Sequence, residues 1–192
     1  MLNQMRGFLL ISFGMFTLLS LGTFSSAYAQ SDQFKLLREV GRDDIKEVQA
    51  LLKKGVSPDT RRRSDGVPGI IIAAKNANGN MMKVLLDAGA NPNLADRNRG
   101  ETALMIRALA GDTAQVKMLL ENNADPDRAD IGQETALMKA VRARKFRVVE
   151  VLLDAGSDPN VQDLSGKTAL EYAQISRSRR MIRALQDAGA TY

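Results

Sequence analysis

The stretch Thr102-Ala103-Leu104-Met105 returns as Thr135-Ala136-Leu137-Met138 and again as Thr168-Ala169-Leu170, each step being 33 residues. A second motif, Leu-Leu followed by Gly and then x-Pro-Asp/Asn, keeps the same register at Leu51-Leu52, Leu85-Leu86, Leu119-Leu120 and Leu152-Leu153, with Asn123 standing for the glycine of the third copy. Pro58, Pro92, Pro126 and Pro159 are four of the five prolines of the chain, and they mark one slot at spacings of 34, 34 and 33. Such a period is the mark of a stacked array and not of a globule.

Each copy has a physical reading. Thr102, Thr135 and Thr168 stand where a hydroxyl accepts a bond from an otherwise orphan amide, so each predicts the start of a short helix. A turn around Gly111 leads to a second helix with apolar residues at helical spacing, Val116, Leu119 and Leu120 in the third unit and Val148, Val149, Leu152 and Leu153 in the fourth. That helix stops at Gly55, Gly89, Asn123, Gly156 or Gly189, residues that tolerate a left-handed backbone. The proline three residues on cannot continue a helix. Polar segments such as 93–100 and 160–166 link the units. A helix pair this short cannot bury its own apolar stripe, so neighbours must stack into one continuous core.

The motifs G-x-T-A-L-M and L-L-x-x-G-A-x-P-N at this period resemble the ankyrin repeat, over about residues 32–192. The resemblance implies an all-α repeat, a solenoid of helix-turn-helix units joined by β-hairpin fingers, and a non-catalytic protein-binding module. Five units are expected, at about 31–63, 64–98, 99–131, 132–164 and 165–192, the outer two serving as caps. The chain also departs from the family's T-P-L-H tetrapeptide. Ala103, Ala136 and Ala169 replace its proline, and Met105, Met138 and Glu171 replace the histidine whose bonds join repeats, so packing is expected to compensate. The second unit reads Pro68-Gly69-Ile70-Ile71 and has no threonine cap. The fourth has Gln133 at the turn-glycine slot, with Gly132 one place early. The first carries Phe34-Lys35-Leu36 and is polar enough for an N-terminal cap.

Ahead of the array, residues 1–29 hold Arg6 as their only charge, an uncharged run from Gly7 to Ala29, and Ala27-Tyr28-Ala29 at its end. This is the order of a secretory signal peptide, and it predicts cleavage after Ala29. The mature chain, residues 30–192, would be periplasmic, monomeric, off the membrane and of net charge +4. A retained anchor is the alternative, diluted by the Ser, Gly and Thr of the run.

The 192 residues include no His and no Cys. Imidazole catalysis, thiol nucleophiles, disulfides and the usual zinc ligands are thereby excluded. Ser165-Gly166-Lys167-Thr168 looks like the tail of a P-loop, but Val161 stands where that motif needs glycine. Asp96, Asp130 and Asp163, with Asp125, Asp127 and Asp158, recur at the repeat period, so they are expected to bond turn backbone in place of forming a catalytic pair or a metal site. Met81, Met82, Met105, Met118, Met138 and Met181 fall at core positions. No catalytic residue, cofactor or metal ligand is expected.

Basic residues are the irregular feature: Arg61-Arg62-Arg63 in the first finger, Arg97, Arg99 and Arg128 in the next two, Arg142, Arg144, Lys145 and Arg147 in the fourth unit, and Arg177, Arg179, Arg180 and Arg183 in the fifth. They form either a solvated face or a surface that steers an acidic partner. Nucleic acid fits poorly, because the mature chain keeps only Phe34, Phe146, Tyr172 and Tyr192 for stacking on bases. In the family, contacts come from finger and first-helix positions free of the repeat pattern. Here these are Arg62, Arg63, Asp65, Leu94, Arg97, Asn98, Arg99, Arg128, Ile131, Gln162 and Leu164 from fingers, with Lys75, Asn76, Leu109 and Arg142 from first helices. The partner is expected to be another protein, either resident in the same compartment or a toxin or enzyme that the array occludes as an immunity or inhibitor protein.

Overall fold

A computed structural model describes residues 32–191; the expected leader, residues 1–29, lies outside the described residues. Ten helices among them run in pairs: α1 (32–42) with α2 (Ile45–Lys53), α3 (Gly69–Lys75) with α4 (Gly79–Asp87), α5 (Ala103–Ala110) with α6 (Thr113–Glu121), α7 (Ala136–Arg142) with α8 (Phe146–Asp154), and α9 (Ala169–Ile175) with α10 (Arg179–Asp187).

The helix boundaries follow from the residues that predict them. Oγ1 of Thr102 accepts from the Met105 amide at 3.3 Å, and Thr135 and Thr168 do the same for Met138 and Glu171 at 3.4 Å. Glu171 closes a capping box by accepting from the Thr168 amide at 2.6 Å. α3 starts at Pro68 without a side-chain cap. At the other ends Gly55, Gly89, Gly156 and Gly189 adopt φ of 85–90°, and Asn123 takes the same slot at 63°. The residue after each donates back to the leucine carbonyl five residues earlier, as Ala90 does to Leu85 at 2.9 Å and Ser157 to Leu152 at 3.0 Å, so the orphan carbonyls of these helix ends are satisfied.

The inner helices α3, α5, α7 and α9 pack each on the next; behind them α2 lies on α4, and α6, α8 and α10 form a second row. One core cluster runs from Leu36 to Leu185. Met81, Met82, Met105, Met138 and Met181 are buried in it, and Met118 is partly buried against it. Each large apolar side chain so buried contributes about 1.5–3 kcal/mol.

Packing is not the only bond between units. The residue after each marker proline is a staple. Its side-chain oxygen accepts from a backbone amide of the next unit: Asp59 from Asn91, Asp127 from Asp158 and Asn160 from Thr191 at 2.8 Å, and Asn93 from Asp125 at 2.7 Å. Arg107 adds a bond to the Ala74 carbonyl at 2.8 Å, and Gln115 one to the Ala77 carbonyl at 3.0 Å. The missing histidines are therefore replaced by polar bonds as well as by buried methionine.

The staples carry a prediction. Asn93 and Asn160 also donate through Nδ2, to the carbonyls of Asn123 and Gly189, each at 3.1 Å; the aspartates cannot. Burial pushes the Asp127 carboxyl above its ordinary pKa, with Asp158 and Asp125 adding repulsion against the pull of the Asp158 amide. A raised folded-state pKa means that this site favours folding most in acid and loses that contribution as pH rises through the folded value. Asp127→Asn removes the half-buried charge and supplies a donor for the Gly156 carbonyl. We expect a gain of about 1 kcal/mol at neutral pH, fading toward the acid range, in chemical denaturation followed at several pH values.

The linkers form two kinds of finger. In the first, Arg62 donates to the Val67 carbonyl at 2.9 Å, and in the second Asp96 donates to Glu101 at 3.0 Å, leaving four residues in each loop. In the third and fourth, Asp130 donates to Glu134 at 3.1 Å and Asp163 to Lys167 at 3.0 Å, leaving three. Antiparallel bridges, Arg61 with Pro68 and Ala95 with Thr102, form only in the first two among the described residues. Gln133 sits at φ 58°, the slot of Gly66, Gly100 and Gly166, as its sequence position implies.

Candidate protein-binding face

The fingers and the exposed side of the inner helices make one face, built on a rigid base. Asp96 accepts from the amides of Asn98 and Arg99 at 3.1 and 2.7 Å, and Asp130 from those of Gly132 and Glu134 at 2.8 and 2.9 Å. Asp163 accepts from the Ser165 and Lys167 amides at 2.8 and 3.0 Å, from the Ser165 hydroxyl and from the Tyr172 hydroxyl. Burial opposes its charge, but these bonds prevail and hold its pKa at about 2. The fourth finger thus stays fixed above pH ~4 and loosens only as pH falls from there toward about 2. Adjacent fingers are joined in turn: Ile131 donates to the Arg99 carbonyl and Leu164 to that of Gly132, both at 3.0 Å. Asp125 and Asp158 accept turn amides in the same way, from Asp127 at 3.0 Å and Asn160 at 2.8 Å, so five of the six aspartates named from the sequence serve turns, while Asp127 joins two units.

Most of the sequence-derived contact residues lie open to solvent. Arg62, Arg63, Arg97, Asn98, Arg99, Arg128, Gln162, Ile131 and Leu164 are exposed, the last two by 65% and 74%. Arg62 holds Asp65 at 3.3 Å, and Asp65 is half-buried because it accepts from the Val67 amide. Leu94 is half-buried: it packs against the core on one side and lines a surface pocket with Arg97 and Arg128 on the other. Asn76, at the C-terminal end of α3, is exposed and donates to the Gly41 carbonyl at 3.5 Å. Arg61 is also structural, donating through one nitrogen to the carbonyls of Gly66 and Ala95 at 2.9 Å and so tying finger to finger.

Lys75, Leu109 and Arg142 form a separate group at the far ends of the inner helices, a helix length of ~10 Å from the finger bases. Lys75 lies 3.6 Å from Asp96. Arg142 pairs with Glu134 and holds its guanidinium 5.3 Å from the Tyr172 ring centroid. Between the two groups Lys139 is 7% exposed and touches three carboxylates, Asp130 at 2.7 Å, Glu134 at 3.2 Å and Glu101 at 3.4 Å.

Two features were missed from sequence. Ile175 is 66% exposed and stands seven residues after its cap, the register of Lys75, Leu109 and Arg142, so the period itself carries it. Phe34 is 67% exposed, so the first unit is not a plain polar cap. With Leu37 and Ile72 it lines a largely apolar groove of about 550 Å³, rimmed by Arg38, Arg62 and Arg63.

A stacked helical array that leaves its variable residues on one finger-bearing face defines a recognition scaffold of the repeat class. The family described as Ankyrin repeats (3 copies) matches residues 36–130, 70–163 and 128–192. The chain belongs to the ankyrin-repeat family, whose members are generally protein–protein interaction modules. No curated protein matches it.

Proposed function

We propose that the chain is an exported, non-catalytic scaffold that binds an acidic partner protein in the periplasm through its fingers and first inner helix. The groove beside the first finger supports this reading most. It offers an apolar floor of Phe34, Leu37 and Ile72 under the cationic rim of Arg62 and Arg63, which suits an apolar anchor flanked by carboxylates. Export rests on the sequence of residues 1–29.

The test is capture from periplasmic extract on immobilised mature chain, beside a variant with Arg62, Arg63, Arg97 and Arg99 changed to Glu and another with Phe34→Ala. Arg61 is left intact because it holds two fingers together. A partner bound by the native chain and lost from both variants supports the finger groove, whereas retention by both moves binding elsewhere. A chain that captures nothing from resident extract but protects against an incoming toxin would shift the reading to an immunity protein. Finding Gln30 as the N-terminus of chain released by osmotic shock checks export and cleavage together.

A further inference from the structure

The edge of the array opposite the fingers, where each inner helix turns into its outer helix, changes character along the chain. In the first three units the outer helices are capped by side chains: Asp44 accepts from the Glu47 amide, Asn78 from Met81 and Asp112 from Gln115. In the last two, Lys145 and Ser178 occupy the cap and make no such bond. The left-handed turn residues follow the same course. Asp43, Ala77 and Gly111 hold that slot first, and Arg144 and Arg177 hold it last, at φ 59° and 52°. An arginine there is strained by ~1–2 kcal/mol relative to an ordinary backbone.

At Arg144, Lys145 and Arg177 a choice that weakens local structure thus coincides with positive charge on one edge, whereas Ala77, equally left-handed at φ 56°, carries none. Arg144, Lys145 and Arg147 from one turn and Arg177, Arg179 and Arg180 from the next gather there, and no acid occurs between Lys139 and Glu150 or between Glu171 and Asp187. Among the described residues only Arg180 of these six forms an ion pair, with Glu150 at 3.7 Å, and its guanidinium lies 3.5 Å from the centroid of the Phe146 ring. The exposed Leu109 and Ile175 end the inner helices at the same edge.

We propose that this edge is a peripheral membrane contact, seating Arg144, Lys145, Arg147, Arg177 and Arg179 on the phosphates of anionic phospholipid while Leu109 and Ile175 enter the headgroup boundary. A lipid surface fits better than an acidic protein on three counts. The cations lie in a row across two successive turns, about one helix spacing of 8–10 Å apart, instead of ringing a single anchor pocket. They are largely unpaired, which suits delocalised attraction to a charged plane. Apolar and cationic groups share one protruding rim, the pairing that interfacial binding uses. The edge is also clear of the fingers, so a protein and a membrane can be held together.

The test is co-sedimentation of residues 30–192 with vesicles of phosphatidylcholine alone or with about one-third phosphatidylglycerol, at ~0.1 M and ~0.5 M salt. The informative variant combines Arg144→Gly, Lys145→Asp and Arg177→Gly. It relieves both strained turns and restores a side-chain cap to α8, so it should melt no lower than the native chain. We expect the native chain to pellet with anionic vesicles at low salt only, and the variant to bind roughly a hundredfold more weakly. Equal binding to neutral vesicles, or unchanged binding by a variant of intact melting, overturns the proposal. So does salt-sensitive binding to soluble polyglutamate without binding to vesicles, which would assign the edge to an acidic protein.

Discussion

Ending the chain at Ser165, before the fifth unit, should lower the melting temperature by more than ~10 °C or leave the protein aggregated. The cut removes Leu170, Ala173, Met181 and Leu185 from the core cluster and strips α7 and α8 of the helices packed on them. It also deletes Thr191 and Gly189, the two partners of Asn160 in the last staple. Each large apolar side chain returned to water costs about 1.5–3 kcal/mol, and a domain holds only ~5–15 kcal/mol in all. Thermal melting and sedimentation of the shortened chain would report the loss. Unchanged melting and solubility would mean that the units do not share their stability, contrary to a nearest-neighbour array.

Replacing Lys139 with Met should be the most damaging single change on the finger-bearing face. The ammonium is the common partner of Asp130, Glu134 and Glu101, and of these Asp130 is itself buried. Removing it leaves close acids facing one another away from water, a change that typically costs about 3–5 kcal/mol. The origin of that cost is separable from side-chain shape, because Ile72 and Ile106 hold the same register in the second and third units. Lys139→Ile made together with Glu101→Gln, Asp130→Asn and Glu134→Gln should recover most of the stability. A single variant as stable as the native chain at neutral pH would show that the three acids do not depend on the lysine.

The helices were legible because each boundary is a local matter of one residue. Thr102, Thr135 and Thr168 cap, Gly or Asn ends, and proline prevents continuation, so reading the chain in register was enough. Residues 130, 163 and 96 were likewise understood as turn-formers from their recurrence. What escaped was set across units. Nothing local marks Asp59, Asn93, Asp127 and Asn160 as acceptors for an amide about thirty residues away, and they read as punctuation beside proline. Leu94 and Asn76 break the repeat pattern, and nothing local shows that the first also packs on the core or that the second reaches the Gly41 carbonyl of the preceding unit. Phe34 has an aromatic ring that suggests core, but among the described residues no inner helix precedes α1 to cover it.

The staples also bear on how such a chain can change over generations. Every junction fixes the chemistry of one position, the Asp or Asn after the marker proline, and what that side chain grips is backbone. The gripped residues are Asn91, Asp125, Asp158 and Thr191, and of these only Thr191 adds its own side chain, its hydroxyl donating to the same Asn160 oxygen at 3.0 Å. As far as the staples go, a neighbouring unit can therefore drift without a matching change across the seam; the junction where Lys139 meets Glu101 and Asp130 is an exception, tying side chain to side chain. The chain can revise what it recognises while the means by which it is held together stays constant.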